Sequence, residues 1–195
     1  MLDLCIDTSL GTSVAICKDG VVLGQGYEED PRRHAESLAP LIEKVIAKAG
    51  VQPTWDRVLV GTGPAPFTGL RAGLITATVV ARASGAALHG APSLELLAAG
   101  ARNLDTLDEL VTVVADAKRG EVYWATYRLG TEIEQVTSMQ VGKDFVVQGR
   151  QVGPGVIVDP AFLPVVVDQY LAQGRPTPTV PLYLREPDVH PGSKK

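Results

Sequence analysis

Cysteine, aromatic side chains, paired histidines and long apolar runs are all scarce in this chain. Only Cys5 and Cys17 occur, both inside apolar strand patterns and neither in a Cys-x-x-Cys or Cys/His cluster. They read as buried thiols, not as a disulfide framework or a metal site. His34, His89 and His190 never recur at ligand spacing, and the His-Glu-x-x-His and Gly-x-Ser-x-Gly motifs of metallopeptidases and serine hydrolases are missing. No apolar stretch approaches membrane-spanning length. The N-terminus carries Asp3 and Asp7 and no basic run, so a secretory signal is not expected. Basic residues are not in excess either: the net charge is -4 and the pI about 5.4, which gives no electrostatic footprint for binding nucleic acid alone.

What is present is an ordinary globular composition, 45% hydrophobic and 21% charged over 195 residues, enough for one core or two small lobes. The chain pivots on Gly61-Thr62-Gly63-Pro64-Ala65-Pro66-Phe67-Thr68-Gly69, where a strand pattern turns into a helical one. Glycines free the backbone, prolines stiffen the turn, Thr68 is the expected cap of a helix from Gly69 to Ser84, and Gly85 its left-handed stop. Such a turn resembles a phosphate cradle. It lacks the Gly-Lys-Ser/Thr of a P-loop, however, and Pro66 stands where a dinucleotide fingerprint needs glycine.

Around this pivot the order is regular. Leu2, Leu4 and Ile6 alternate with polar residues as in a half-buried strand, and Ser13 to Lys18 and Val21 to Tyr27 form a hairpin through Asp19-Gly20. Leu38, Leu41, Ile42, Val45 and Ile46 then mark an amphipathic helix ending at Gly50, with Pro40 forcing either a late start or a bent first turn. Arg57 to Val60 reads as a buried parallel strand, Ala86 to Ala91 as another, and Ser93 as the cap of a helix running to Gly100. After the polar joint 102–109 the pattern repeats: setting Asp7 on Asp116 places Gly11 on Gly120 and the strand Ser13 to Lys18 on Val122 to Tyr127. Beyond Glu132 to Thr137 the second copy breaks into short apolar pieces, a helix near Pro164 to Gln173, and a tail from Pro187 expected to fray. The domain expectation is a first lobe over 1–101 and a smaller second lobe with the tail over 102–195.

A duplicated β-β-β-α-β-α unit with an acid ending the first strand of each copy is the layout of the actin-like ATPase fold, an α/β architecture of two ribonuclease-H-like lobes, here with the second reduced. Active members hold nucleotide phosphates with a Gly-rich hairpin in the second lobe. Ala117-Lys118-Arg119-Gly120 offers one glycine there, too few for an anion nest. Asp7, Thr8, Gly11 and Gly63 are the weak phosphate-loop candidates that remain.

Several motifs converge on one family: Ile6-Asp7-Thr8-Ser9, Arg33-His34-Ala35-Glu36, Gly63-Pro64 with Phe67-Thr68-Gly69-Leu70-Arg71, Asp116-Ala117-Lys118-Arg119-Gly120-Glu121-Val122-Tyr123, and Pro181-Leu182-Tyr183-Leu184-Arg185. Together, over nearly the whole chain, they resemble the TsaB (YeaZ) family. Ala65-Pro66 departs from the Gly-Ser of the family pattern. The resemblance implies a cytoplasmic, noncatalytic subunit with no cofactor and no metal. It would serve in forming N6-threonylcarbamoyladenosine at position 37 of tRNAs that read codons beginning with A. The implied partners are the catalytic paralogue TsaD, the ATPase TsaE, a second copy of the chain when TsaD is absent, tRNA only within the complex, and no membrane. The implied interface is a helical bundle, for which the expected residues are His34, Leu38, Leu41, Ile42, Val45, Leu70, Gly73, Leu74 and Ala77. On that expectation Gly73→Leu leaves the monomer folded and blocks pairing. Two rivals stand beside it: an independent phosphotransferase using Asp7 or Asp116 as base or metal ligand, and a peptidase, which the missing motifs oppose.

Overall fold

In a computed structural model the chain is described over residues 1–28, 34–103 and 108–185, with the side chains of His34 and Ala35 outside that set. The charged loop, the polar joint and the terminal tail expected from the sequence fall largely on the remaining residues. Two five-stranded sheets organise the molecule. The first contains β1 (Leu2–Asp7), β2 (Thr12–Lys18), β3 (Val21–Glu28), β4 (Arg57–Gly61) and β5 (Ala87–Ala91) in the order β3-β2-β1-β4-β5. β1 runs antiparallel to β2 and parallel to β4, and β4 is parallel to β5. The hairpin turns at Asp19 and Gly20, both with positive φ, as the Asp-Gly pair requires.

The helices are α1 (His34–Ala49), α2 (Phe67–Ser84), α3 (Ser93–Ala101) and α4 (Leu163–Ala172). α1 and α2 lie side by side on the outer face of the first sheet, over Leu4, Ile6, Val14, Ile16, Val58 and Val60. The opposite face of that sheet, with Cys5, Ala15, Cys17 and Leu59, joins a second core built with α3, α4 and the second sheet. β1 is therefore covered on both faces, not half-buried as its alternation suggests. The covering helix α4 arrives from more than a hundred residues away, and local periodicity carries no trace of it. Asp3 is tolerated on this inner face because Arg57 donates to both its oxygens at 2.8 and 2.6 Å. Arg57 also reaches Asp168 of α4 at 2.5 Å, tying the helix to the sheet.

The second sheet holds β6 (Glu109–Asp116), β7 (Val122–Leu129), β8 (Ile133–Gln135), β9 (Gln140–Gly142) and β10 (Arg150–Val152), ordered β10-β6-β7-β8, with β9 also on β7. β6 is antiparallel to β7 and parallel to β10, which repeats the pairings of β1 with β2 and β4. Asp7 faces Ser13 and Asp116 faces Val122, the same offset in both copies. The duplication is thus real in the backbone. It is incomplete on the outer face, where no described helix matches α1 and Phe145 instead packs its ring against Trp124.

Three local expectations need correction. Thr68 does not cap α2: the helix starts at Phe67 behind Pro66, without a side-chain cap. Ser93 lies inside the first turn of α3 and spends its hydroxyl elsewhere. Pro40 sits within α1, which begins six residues earlier at His34, so the late-start option is wrong. Gly85 does end α2 in the left-handed region, as expected.

The interface residues expected from the sequence are mostly turned inward. Leu38, Leu41, Val45, Leu70, Leu74 and Ala77 are core residues, with Ile42 half-buried against them. Gly73 packs on the β1–β2 turn, where a Cβ would stand 2.3 Å from Thr8 Oγ1 and 3.2 Å from Thr8 Cβ. Rotating the threonine does not clear that contact, so a leucine at this position disrupts the monomer itself. The small-residue surface of α2 serves close approach to its own lobe, and the outward face is carried by Ile75 and Val79, 63% and 59% exposed, between Arg71 and Arg82.

Candidate functional site: the cleft between the two halves

The ends of β1 and β6 meet across a cleft of about 580 Å³. It is lined by the β1–β2 turn, the start of α2, Asp116 and Lys118, and residues 155–157. The size suits a small ligand. Thr8 and Gly11 border it, with Thr8 Oγ1 donating to the Gly69 carbonyl at 2.9 Å and so fixing the turn to α2. Gly11 has φ of 135°, and a Cβ there would lie 2.7 Å from the Tyr27 ring, so only glycine closes this wall.

Asp7 is 1% exposed and belongs to the architecture beneath the cleft. Its Oδ1 accepts from the Ser9 amide at 2.8 Å and the Ser9 hydroxyl at 2.5 Å, and its Oδ2 accepts from the Ser93 hydroxyl at 2.6 Å. Ser93 Oγ in turn accepts from the Gly63 amide at 3.1 Å, and the Gly63 carbonyl takes the Ser93 amide at 2.6 Å. A Cβ on Gly61 would fall 1.7 Å from Asp7 Oδ2. Burial pushes the Asp7 carboxyl up, and the Ser9 and Ser93 bonds hold it partly down. Asp7 and Gly63 are therefore knotted into the joint between β1, β4 and α3. Of the four phosphate candidates, Thr8 and Gly11 line the cleft.

Asp116 stands differently. Lys118 bonds it twice, through the amide and through Nζ, each at 2.7 Å, and this partner holds the carboxyl below its ordinary range. Lys118, Arg119 and Gly120 all have positive φ. The turn is clamped from outside by Arg185, which bonds the Ala117 carbonyl and pairs with Glu121.

That clamp was not foreseen. The closing stretch crosses both halves: the Leu182 amide bonds the Thr62 carbonyl, the Tyr183 ring lies 4.2 Å from Phe67, and Arg71 Nε donates to the Tyr183 hydroxyl at 2.8 Å. Two motifs that looked separate in sequence, Phe67 to Arg71 and Pro181 to Arg185, are one clasp, and Ser93 is the centre of the Asp7 joint. Their polar atoms in apolar surroundings were the available signal. His89 lies in β5 with Nδ1 2.9 Å from Thr177 Oγ1, and burial lowers its basicity. Among the described residues no group of three His, Cys, Asp or Glu side chains is placed to hold a metal.

A duplicated pair of sheets with helices between them and a cleft at the strand ends defines a protein of the actin-like ATPase fold with a reduced second lobe. Residues 28–163 match the family model described as TsaD, tRNA N6-adenosine threonylcarbamoyltransferase. An uncharacterised protein of Mycobacterium tuberculosis is 35% identical over 96% of this chain and 93% of its own. The Escherichia coli tRNA threonylcarbamoyladenosine biosynthesis protein TsaB is 33% identical over 64% of this chain and 54% of its own. The crystal structure of a Pseudomonas aeruginosa protein described as similar to peptidase YeaZ superposes with a TM-score of 0.79 at 26% identity, over 94% of this chain and 99% of that one. The chain belongs to the TsaB (YeaZ) family.

Proposed function

We propose that this chain is a noncatalytic partner subunit of the assembly that forms N6-threonylcarbamoyladenosine at position 37 of tRNAs reading codons that begin with A. In this reading it supports the catalytic paralogue TsaD, works with the ATPase TsaE in the cytoplasm, and meets tRNA only within the complex. The observation that carries the reading is the state of the two strand-end acids. A phosphotransferase of this fold needs one of them as base or metal ligand. Asp7 is buried with both oxygens engaged by Ser9 and Ser93, and Asp116 is engaged by Lys118.

The partner surface of this reading is the outward face of α2 around Ile75 and Val79, continued by the groove beside Arg71, Arg82 and Pro181. Exposed apolar side chains grouped on one helix face favour association. Residues 1–101 then act as the partner-facing lobe and 102–195 as its reduced counterpart, and a second copy covers the α2 face when TsaD is absent. Depleting the protein in its own cells and measuring the modified nucleoside by mass spectrometry tests the assignment. Loss of the modified base is expected, and an unchanged level refutes it. Purified chain that turns over ATP at enzyme-like rates without partners restores the phosphotransferase.

A further inference from the structure

The closing stretch 181–185 grips both walls of the cleft. On the first wall Phe67, which lines the cleft, packs its ring 4.2 Å from that of Tyr183, and Arg71 Nε donates to the Tyr183 hydroxyl at 2.8 Å. On the second wall the turn that carries Lys118 is held by Arg185, which donates to the Ala117 carbonyl at 3.3 Å and pairs with Glu121. Tyr183 and Arg185 stand two residues apart, and two residues of chain span at most about 7 Å. Little slack is left between the two grips. The stretch is anchored as well: the Leu182 amide bonds the Thr62 carbonyl at 2.8 Å, and Leu184 packs on the core shared by the two sheets.

The second wall is the one that needs a grip. Lys118 and Arg119 have φ of 62° and 60°, a region costly for side chains other than Asn and Asp, and Gly120 follows at 73°. Tight hairpin turns of this hand ordinarily recruit Asn, Asp or Gly. Strained backbone persists only where its surroundings over-determine it. Within the hairpin the Lys118 amide bonds Asp116 Oδ1 at 2.7 Å, the Ala117 amide bonds the Glu121 carbonyl at 3.0 Å, and the Glu121 amide bonds the Lys118 carbonyl at 3.1 Å. Arg185 adds the hold that comes from another part of the chain.

We propose that 181–185 is a latch on the cleft: Tyr183 and Arg185 tie the start of α2 to the β6–β7 turn, and freeing the Tyr183 end lets that turn, and Lys118 with it, relax. Arg71 also borders the groove beside Thr179 and Pro181, so an occupant that takes the Arg71 guanidinium acts on the cleft through the latch. That last link rests on the partner surface proposed above. The latch itself does not, and it is tested on the free chain.

Amide hydrogen exchange, followed by NMR on the full-length protein, reads the latch directly. Arg185→Ala should speed exchange of the Ala117, Lys118 and Glu121 amides by about tenfold or more. Tyr183→Phe deletes one hydroxyl on the other wall and should speed the same amides about threefold or more, and Arg71→Met, at an exposed position, should do likewise. The Val136 amide, bonded to the Thr126 carbonyl of β7, is the internal reference and should keep its wild-type rate. Added to Arg185→Ala, Tyr183→Phe should bring no further acceleration, since the connection is already cut. Wild-type exchange at the turn in folded Tyr183→Phe or folded Arg71→Met overturns the latch. Equal acceleration at Val136 overturns it too, as the mark of a general loss of stability, and so do additive effects in the double variant. Should Tyr183→Phe not fold, Arg71→Met decides.

Discussion

Asp7 and Asp116 close the first strands of the two halves at the same register, yet they do opposite work. Asp7 is roofed by the joint of β1, β4 and α3, and three hydrogen bonds use its oxygens. Asp116 has a half-exposed side chain and a flexible lysine partner. The difference follows from what covers each sheet. Ser93 of α3 and the close backbone of Gly61 seal the strand end at Asp7; among the described residues no helix matches α1 on the second sheet, and its strand end leaves Asp116 half-exposed beside Lys118. Equivalent positions in the two sheets are thus a structural post in one copy and a surface ion pair in the other.

Replacing both acids separately by alanine should break the symmetry most visibly. Asp7→Ala strands the Ser9 amide and the Ser9 and Ser93 hydroxyls in a buried place, and is expected to cost about 3 kcal/mol. Asp116→Ala removes a solvent-screened pair and should stay within about 1 kcal/mol. Urea unfolding of the two variants measures the gap, and equal losses would show that Asp7 is no more structural than Asp116.

Gly73→Ala probes the same post from the helix side. The new methyl overlaps Thr8, whose hydroxyl is held by Gly69; strain of about 1–3 kcal/mol is set against a helix-propensity gain of about 1 kcal/mol. A net loss of about 1 kcal/mol is expected, read as a lower denaturation midpoint. A stabilised variant would mean that α2 moves away from the turn without cost.

Acidity sharpens the contrast further, because the two carboxyls shift in opposite directions. The folded Asp7 binds its proton more tightly than the unfolded chain does, so stability from this group is full below the ordinary aspartate range and falls as pH rises through its elevated value. Asp116 is depressed by Lys118, so its contribution is present above the ordinary range and lost as pH falls through its lowered value. Asp7→Asn should therefore remove a downward slope of stability with pH, and Asp116→Asn a smaller upward one. Unfolding free energies measured between pH 3 and 7 check both signs.

How much of this was legible follows from where each signal resides. The order of strands and helices in the first half, the parallel burial of Arg57 to Val60 and the match of Asp7 with Asp116 all lie in local periodicity and spacing, which a sequence displays. β9 and β10 carry little apolar pattern and exist through pairing with β7 and β6, so nothing local announced them. The site was half-readable: Thr8 and Gly11 do line the cleft. The fate of Asp7 depended on Ser93, eighty-six residues on, and the clasp of Tyr183 on Phe67 and Arg71 is longer still. For α2, sequence showed a small-residue face but not which way it turned. Small residues are needed where the backbone comes closest, and here that is its own β1–β2 turn.

The smallest effect on stability, and the sharpest on association, is expected at Ile75. Its side chain is 63% exposed and Val79, one turn along, is 59% exposed, so little of either is contributed to the core. Ile75→Asp places a charge where water already reaches, and its cost to the monomer should be within about 0.5 kcal/mol. If α2 is the surface on which a second copy or TsaD sits, that charge must be desolvated on pairing without a partner, a penalty that a shape-only change such as Ile75→Val would not bring. Circular dichroism should superpose on wild type while gel filtration and pull-down with TsaD lose the complex, and Ile75→Val should retain it. The Gly73 variant distinguishes the inner face from the outer: it lowers stability with pairing preserved in the folded fraction, whereas Ile75→Asp does the reverse. A folded Ile75→Asp protein that pairs normally moves the partner surface off α2 altogether.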